Sequence, residues 1–290
     1  MIEQLCILTF HVFENLEGLF HMYPLPCFPL WIQKPMKKYF FLLTISFLII
    51  NLAFSQKSQR VIHTYVALCD NENQGIVPVP KTIGNGQDPT RNLYWGAAFG
   101  IKTFFKKSSQ WKLIRAETNT EAPILERLIF KHATEPVWMI ADAWDGAFMK
   151  QTLEAYLSSL AGQTYDTVMI DGKIIPIEGG ADLIAFIGHN GLMDVTLDAF
   201  PKANDSTSRD AIILSCVSRD YFEEPLRKAN ACGLVLTSGL MAPEAYTLEA
   251  ALNGWIKNES SAEVRLKAAA AYHKYQKCGM KGAKWLFGAK

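Results

Sequence analysis

Cysteine is scarce in this chain, with six among 290 residues. Cys6 and Cys27 lie near the start, and Cys69, Cys216, Cys232 and Cys278 are widely spread. That spacing forms no recognisable disulfide framework and no metal-ligand pattern. An excess of either charge is also missing: 29 basic residues face 28 acidic ones, a net charge of +1. A basic footprint is the usual mark of a nucleic-acid binder, so no nucleic-acid partner is expected. There is no internal repeat and no low-complexity segment. No Gly-x-Ser-x-Gly surrounds Ser238, which excludes a serine-hydrolase elbow there. The stretch 70–91 holds too few acids for a calcium loop. No metal and no cofactor is expected.

A leader is expected. Lys37-Lys38 gives a basic head, residues 39–54 run almost without a polar group, and Ala53 and Ser55 supply small residues before Gln56. This is the layout of a secretory signal peptide. Residues 36–55 are therefore expected to be removed, and residues 1–35 to be a mis-called N-terminal extension, with the true start at Met36. The alternative is a membrane-associated leader. On the first reading the protein is exported, to a periplasmic or extracellular space. It meets a membrane only through the signal segment if that stays uncleaved. Residues 56–290 then form one domain, long enough for a full core. Dropping residues 1–55 removes three Lys and three Glu, so the charge balance is unchanged.

Along that domain, 60–69 reads as the first core strand. The polar stretch 70–91 is too long for a plain connection and reads as a functional loop. Helical spacing covers 92–106, and 111–116 is a short strand. Residues 124–130, after Pro123, read as a helix with Pro in its first turn. A buried strand at 137–141 is followed by a helix over 147–160. Asp171-Gly172 sits between two β-rich arms, a hairpin signal. Further strands are expected at 182–187, 211–214 and 233–237, and helices at 243–252 and 262–275. Strands alternating with helices argue for an α/β three-layer sandwich with a mostly parallel central sheet. The hairpin is expected as an insertion outside that sheet.

Two of the apolar runs end in residues that can do chemistry. Asp182–Ile187 leads into Gly188-His189-Asn190-Gly191, and Ala211–Leu214 leads into Ser215-Cys216. Active groups in parallel sheets collect beyond the carboxyl ends of the strands. His189 and Cys216 would then face one crevice, as a base and a thiol nucleophile must. Small neighbours, Gly188, Gly191 and Ser215, would leave backbone N–H groups free for an oxyanion. Taken singly, His189 also fits a plain loop residue and Cys216 an inert buried thiol. Asp142 and Asp145, near the end of the 137–141 run, are candidates to orient a base or line a pocket, or else to cap the next helix.

This pattern resembles the caspase-like cysteine peptidase superfamily: caspases, metacaspases, legumains, gingipains and CHAT domains. There an apolar strand ends in His-Gly and the next core strand in Ala-Cys or Ser-Cys. The likeness covers roughly residues 60–255. It implies a divergent exported member with His189 as general acid/base, Cys216 as nucleophile, and an oxyanion held by the N–H of Cys216 and of Asn190 or Gly191. Asn190 stands where the family has Gly, and Asn tolerates unusual backbone angles. Arg91, before the first helix, would stand in the place of an Arg that lines the substrate pocket. The function so implied is a peptidase acting on a peptide or protein. The alternatives are a caspase-like fold without activity, used for binding or envelope interaction, and an unrelated α/β domain. The oligomeric state is left open.

Overall fold

The computed structural model describes residues 59–118 and 123–289. The proposed extension and signal segment lie outside them. Seven strands form one mixed sheet in the order β2-β3-β4-β1-β7-β8-β9. They are β1 (Arg60–Ala67), β2 (Trp111–Thr118), β3 (Ile124–His132), β4 (Val137–Trp144), β7 (Leu183–Ile187), β8 (Asp210–Leu214) and β9 (Cys232–Val235). β4, β1, β7, β8 and β9 pair in parallel, while β3 runs antiparallel between β2 and β4. β5 (Tyr165–Ile170) and β6 (Lys173–Glu178) make a separate two-stranded sheet, the expected inserted hairpin. Its turn residues Asp171 and Gly172 both have positive φ, at 48° and 75°. Those angles match the right-handed twist of the two arms.

β1 explains the layering. Ile62, Val66 and Leu68 point into one buried cluster, and Val61, Tyr65 and Ala67 into the other. The first cluster is closed by α1 (Ile101–Lys107), α4 (Ala245–Ile256), α5 (Ser261–Gln276) and α6 (Met280–Phe287). The second is closed by α2 (Met149–Leu160), α3 (Ser218–Lys228) and the hairpin. A strand covered on both faces must be apolar throughout, which is why β7 and β8 carry unbroken runs. The molecule is thus α/β, with a mostly parallel sheet between helical layers.

Two expected helices come out differently. Residues 124–130 form β3, because the chain pairs on both sides there. Glu126 turns inward, 3% exposed, and accepts hydrogen bonds from Trp95 Nε1 at 2.7 Å and Lys102 Nζ at 2.8 Å. Ile124, Leu125, Leu128 and Ile129 mimic helical spacing, but sheet pairing overrides it. In 92–106 only the part from Ile101 is helical. Asn92 instead spends its side chain on the backbone of Cys69, accepting from its N–H at 3.0 Å and donating to its carbonyl at 2.8 Å.

The chain moves from β1 to β4 on one side and then returns to place β7 on the other side of β1. This makes the β1/β7 boundary the switch point of the sheet, the kind of place where ligands bind beyond the strand ends in parallel sheets.

Candidate active site

His189 and Cys216 stand at equivalent places. Ile187 of β7 is in register with Leu214 of β8, and each candidate lies two residues beyond its strand. The ladder continues one step past the strands through Gly188 N–H to the Leu214 carbonyl, 3.2 Å. Gly188 has φ +148°, and a Cβ there would lie 2.7 Å from the Ala67 carbonyl oxygen. Only glycine fits so tight a passage from β7 to the His loop.

His189 is nearly buried, at 8% exposure. Its Nε2 lies 2.6 Å from Asp194 Oδ2, in the short helical turn Gly191–Met193 and the residue that ends it. The same oxygen accepts the N–H of Gly75 at 2.7 Å. Among the described residues, no hydrogen bond joins His189 to Cys216. The Cys216 sulfur sits instead on the Met241 backbone, 3.4 Å from its N–H and 3.6 Å from its carbonyl. Cys216 is partly exposed, and its own N–H donates to nothing among the described residues. Val217, which follows it and precedes α3, has φ +49°. A β-branched residue in that region is strained, and such strain gathers at functional turns.

Asn190 has φ −75°, which any residue adopts, so its backbone there does not require a glycine. It is fully buried, and its Nδ2 donates to the Cys216 carbonyl at 2.8 Å. Asn190 and Gly191 are both buried, whereas Cys216 is partly exposed. Asn190 Oδ1 and Ser215 Oγ are buried and take no hydrogen bond among the described residues. Ser215 is also held through its carbonyl, which accepts the Thr237 hydroxyl.

The long stretch 68–100 closes over the ends of β1 and β4. Gln74 Nε2 donates to the Leu68 carbonyl at 2.8 Å and to the Gly146 carbonyl at 3.1 Å. Gln87 Nε2 bridges Asp70 and Asp145, at 2.9 and 2.6 Å. Asp145 also accepts the Ala147 N–H at 2.9 Å and so caps the short turn before α2.

Asp142 does not line a pocket. It lies within β4, fully buried, and Arg127 grips both its oxygens at 2.7 Å. His63 Nε2 is 3.0 Å from it, and His63 Nδ1 accepts the Glu178 N–H of the hairpin at 3.0 Å. Burial alone would raise the Asp142 carboxyl, but the hydrogen bonds from Arg127 and His63 outweigh it and hold the pKa low. Arg91 is an exposed side chain paired with Asp88 at 3.1 Å. A cavity of about 640 Å³ lies at the opposite, amino-terminal edge of the sheet, lined by Arg60, Asp182, Asp210 and Trp255 among others. It lies at the opposite ends of the strands from His189 and Cys216, and its charged groups are engaged in structural bonds: Arg60 on helix carbonyls, Asp210 on Trp255 Nε1.

Asp194 and Met241 were not among the residues the sequence pointed to. An acid five positions after a loop His carries little warning, and Met241 acts through its backbone. No protein-family model, no curated protein and no solved structure matches this chain. Among the described residues no helix is long and apolar enough to cross a membrane, and no three His, Cys, Asp or Glu side chains are grouped as a metal site.

Proposed function

We propose that the chain is an exported cysteine hydrolase of the caspase-like type, cutting a peptide or protein with His189 as base and Cys216 as nucleophile. The observation that carries this reading is the register: base and thiol follow adjacent parallel strands by the same two residues, beside the switch point of the sheet. In the first step the Sγ–H bond breaks and His189 gains the proton. The sulfur bonds to the substrate carbonyl carbon as its π pair moves to oxygen. In this reading the Cys216 N–H meets that oxyanion. His189 then returns its proton to the leaving amine as the carbon–nitrogen bond breaks, and water hydrolyses the thioester. The thiol must leave Met241 and turn toward His189 for this to happen. Catalytic contacts are often loose without substrate.

A binding role without catalysis is the second reading. It is favoured by the Cys216 sulfur resting on Met241 rather than on His189. An electrophilic peptide probe separates the two. Covalent attachment at Cys216 that is lost in His189→Ala supports the hydrolase. An unmodified Cys216 at saturating probe supports the binding module. Export is tested by N-terminal sequencing of secreted protein, which should begin near Gln56.

A further inference from the structure

We propose that Asp194 is a positioning residue for His189, held in place by the Gly75 N–H, and that Nδ1 of His189 is therefore the nitrogen that takes the thiol proton. This rests on the reading of His189 and Cys216 as base and nucleophile. An ionised carboxylate has no proton to donate, so a 2.6 Å contact with Nε2 requires the hydrogen to sit on Nε2. The neutral ring then has its lone pair on Nδ1. Nδ1 bonds to nothing among the described residues, and His189 keeps a small exposed surface. The free basic nitrogen is thus chosen by Asp194.

Asp194 is itself clamped from two sides. Its N–H donates to the Gly191 carbonyl at 3.0 Å, which fixes it to the His loop. Its Oδ2 receives the Gly75 N–H at 2.7 Å, which fixes it to the long loop. Gly75 follows Gln74, whose amide is anchored on the Leu68 and Gly146 carbonyls beyond β1 and β4. A Cβ on residue 75 would overlap the Asp194 carboxylate. The ring of His189 is in this way referenced to the ends of three strands. When Nδ1 gains the thiol proton, the imidazolium lies beside the Asp194 carboxylate, whose negative charge stabilises it.

The test uses the full chain labelled with nitrogen-15 histidine. Long-range proton–nitrogen correlation at mildly alkaline pH should show His189 as the Nε2–H tautomer. In Asp194→Asn the carbonyl oxygen can take the place of Oδ2 on both the Gly75 N–H and Nε2–H, so the fold and the tautomer are kept while the negative charge beside the imidazolium is lost. In Asp194→Ala the acceptor itself is lost, and the proton should no longer be held on Nε2. Iodoacetamide labelling of Cys216 near neutral pH should slow by about tenfold or more in Asp194→Asn, with its pH midpoint moved upward. Asp194→Glu should recover part of the rate, and Gly75→Ala should fall between wild type and Asp194→Asn. An unchanged tautomer in Asp194→Ala together with an unchanged pH profile in Asp194→Asn, while His189→Ala slows labelling, overturns the positioning role and leaves the base assignment standing. Labelling that is insensitive to His189→Ala as well overturns both.

Discussion

Asn190 donates through Nδ2 to the Cys216 carbonyl at 2.8 Å, which ties the loop after β7 to the loop after β8. The two loops that carry the candidate base and thiol are therefore joined by a side chain as well as by the sheet.

Replacing Asn190 with Gly removes that tie and gains nothing from glycine's freedom, since φ is already −75°. We expect a loss of about 1 kcal/mol, the net worth of one hydrogen bond. Cys216 should also label more slowly or over a broader range of rates. Urea unfolding and labelling kinetics check this. Unchanged stability together with faster labelling would mean that Asn190 merely replaces a glycine.

Asp142 is expected to matter for stability, not for substrate. Asp142→Asn leaves the half-buried Arg127 without its carboxylate partner, at a cost of up to about 3 kcal/mol. The folded carboxyl titrates below its unfolded value, so the folded state binds fewer protons there. Its contribution is present above a pH of about 4 and is lost as pH falls through the folded pKa. Wild type should lose more stability than Asp142→Asn between neutral and strongly acid pH. Equal acid slopes would contradict the buried ion pair.

Much of the sheet was legible because β1, β7 and β8 are buried on both faces and had to be apolar and β-branched. The hairpin announced itself through Asp171-Gly172. β3 was not legible: Arg127 and Glu126 look like surface charges on a helix, and only the fold supplies their partners Asp142, Trp95 and Lys102. α3 escaped for the opposite reason. Arg219, Asp220, Glu223, Glu224, Arg227 and Lys228 leave little apolar periodicity, and chiefly Phe222 and Leu226 reach the core. For the site, the sequence marked His189 and Cys216, but the groups that hold them come from loops far along the chain, Gly75 and Met241.

Val217 offers a local test of strain beside the thiol. At φ +49° an alanine is disfavoured and a glycine is not. Val217→Gly should be more stable than Val217→Ala by about 1 kcal/mol, the reverse of their usual order in extended chain. Thermal unfolding of the two variants decides it. If alanine proves the more stable, the turn after Cys216 is not left-handed.

The most direct measurement is the rate of Cys216 alkylation against that of Cys69, in wild type and in His189→Ala, with sites read by mass spectrometry. Cys69 is an internal reference: it is fully buried, and burial pushes its thiol up to about 11. The hydrolase account predicts that Cys216 reacts much faster than Cys69 near neutral pH, and that His189→Ala removes most of that advantage. Slow labelling of Cys216 at the Cys69 rate, unchanged by His189→Ala, would contradict it.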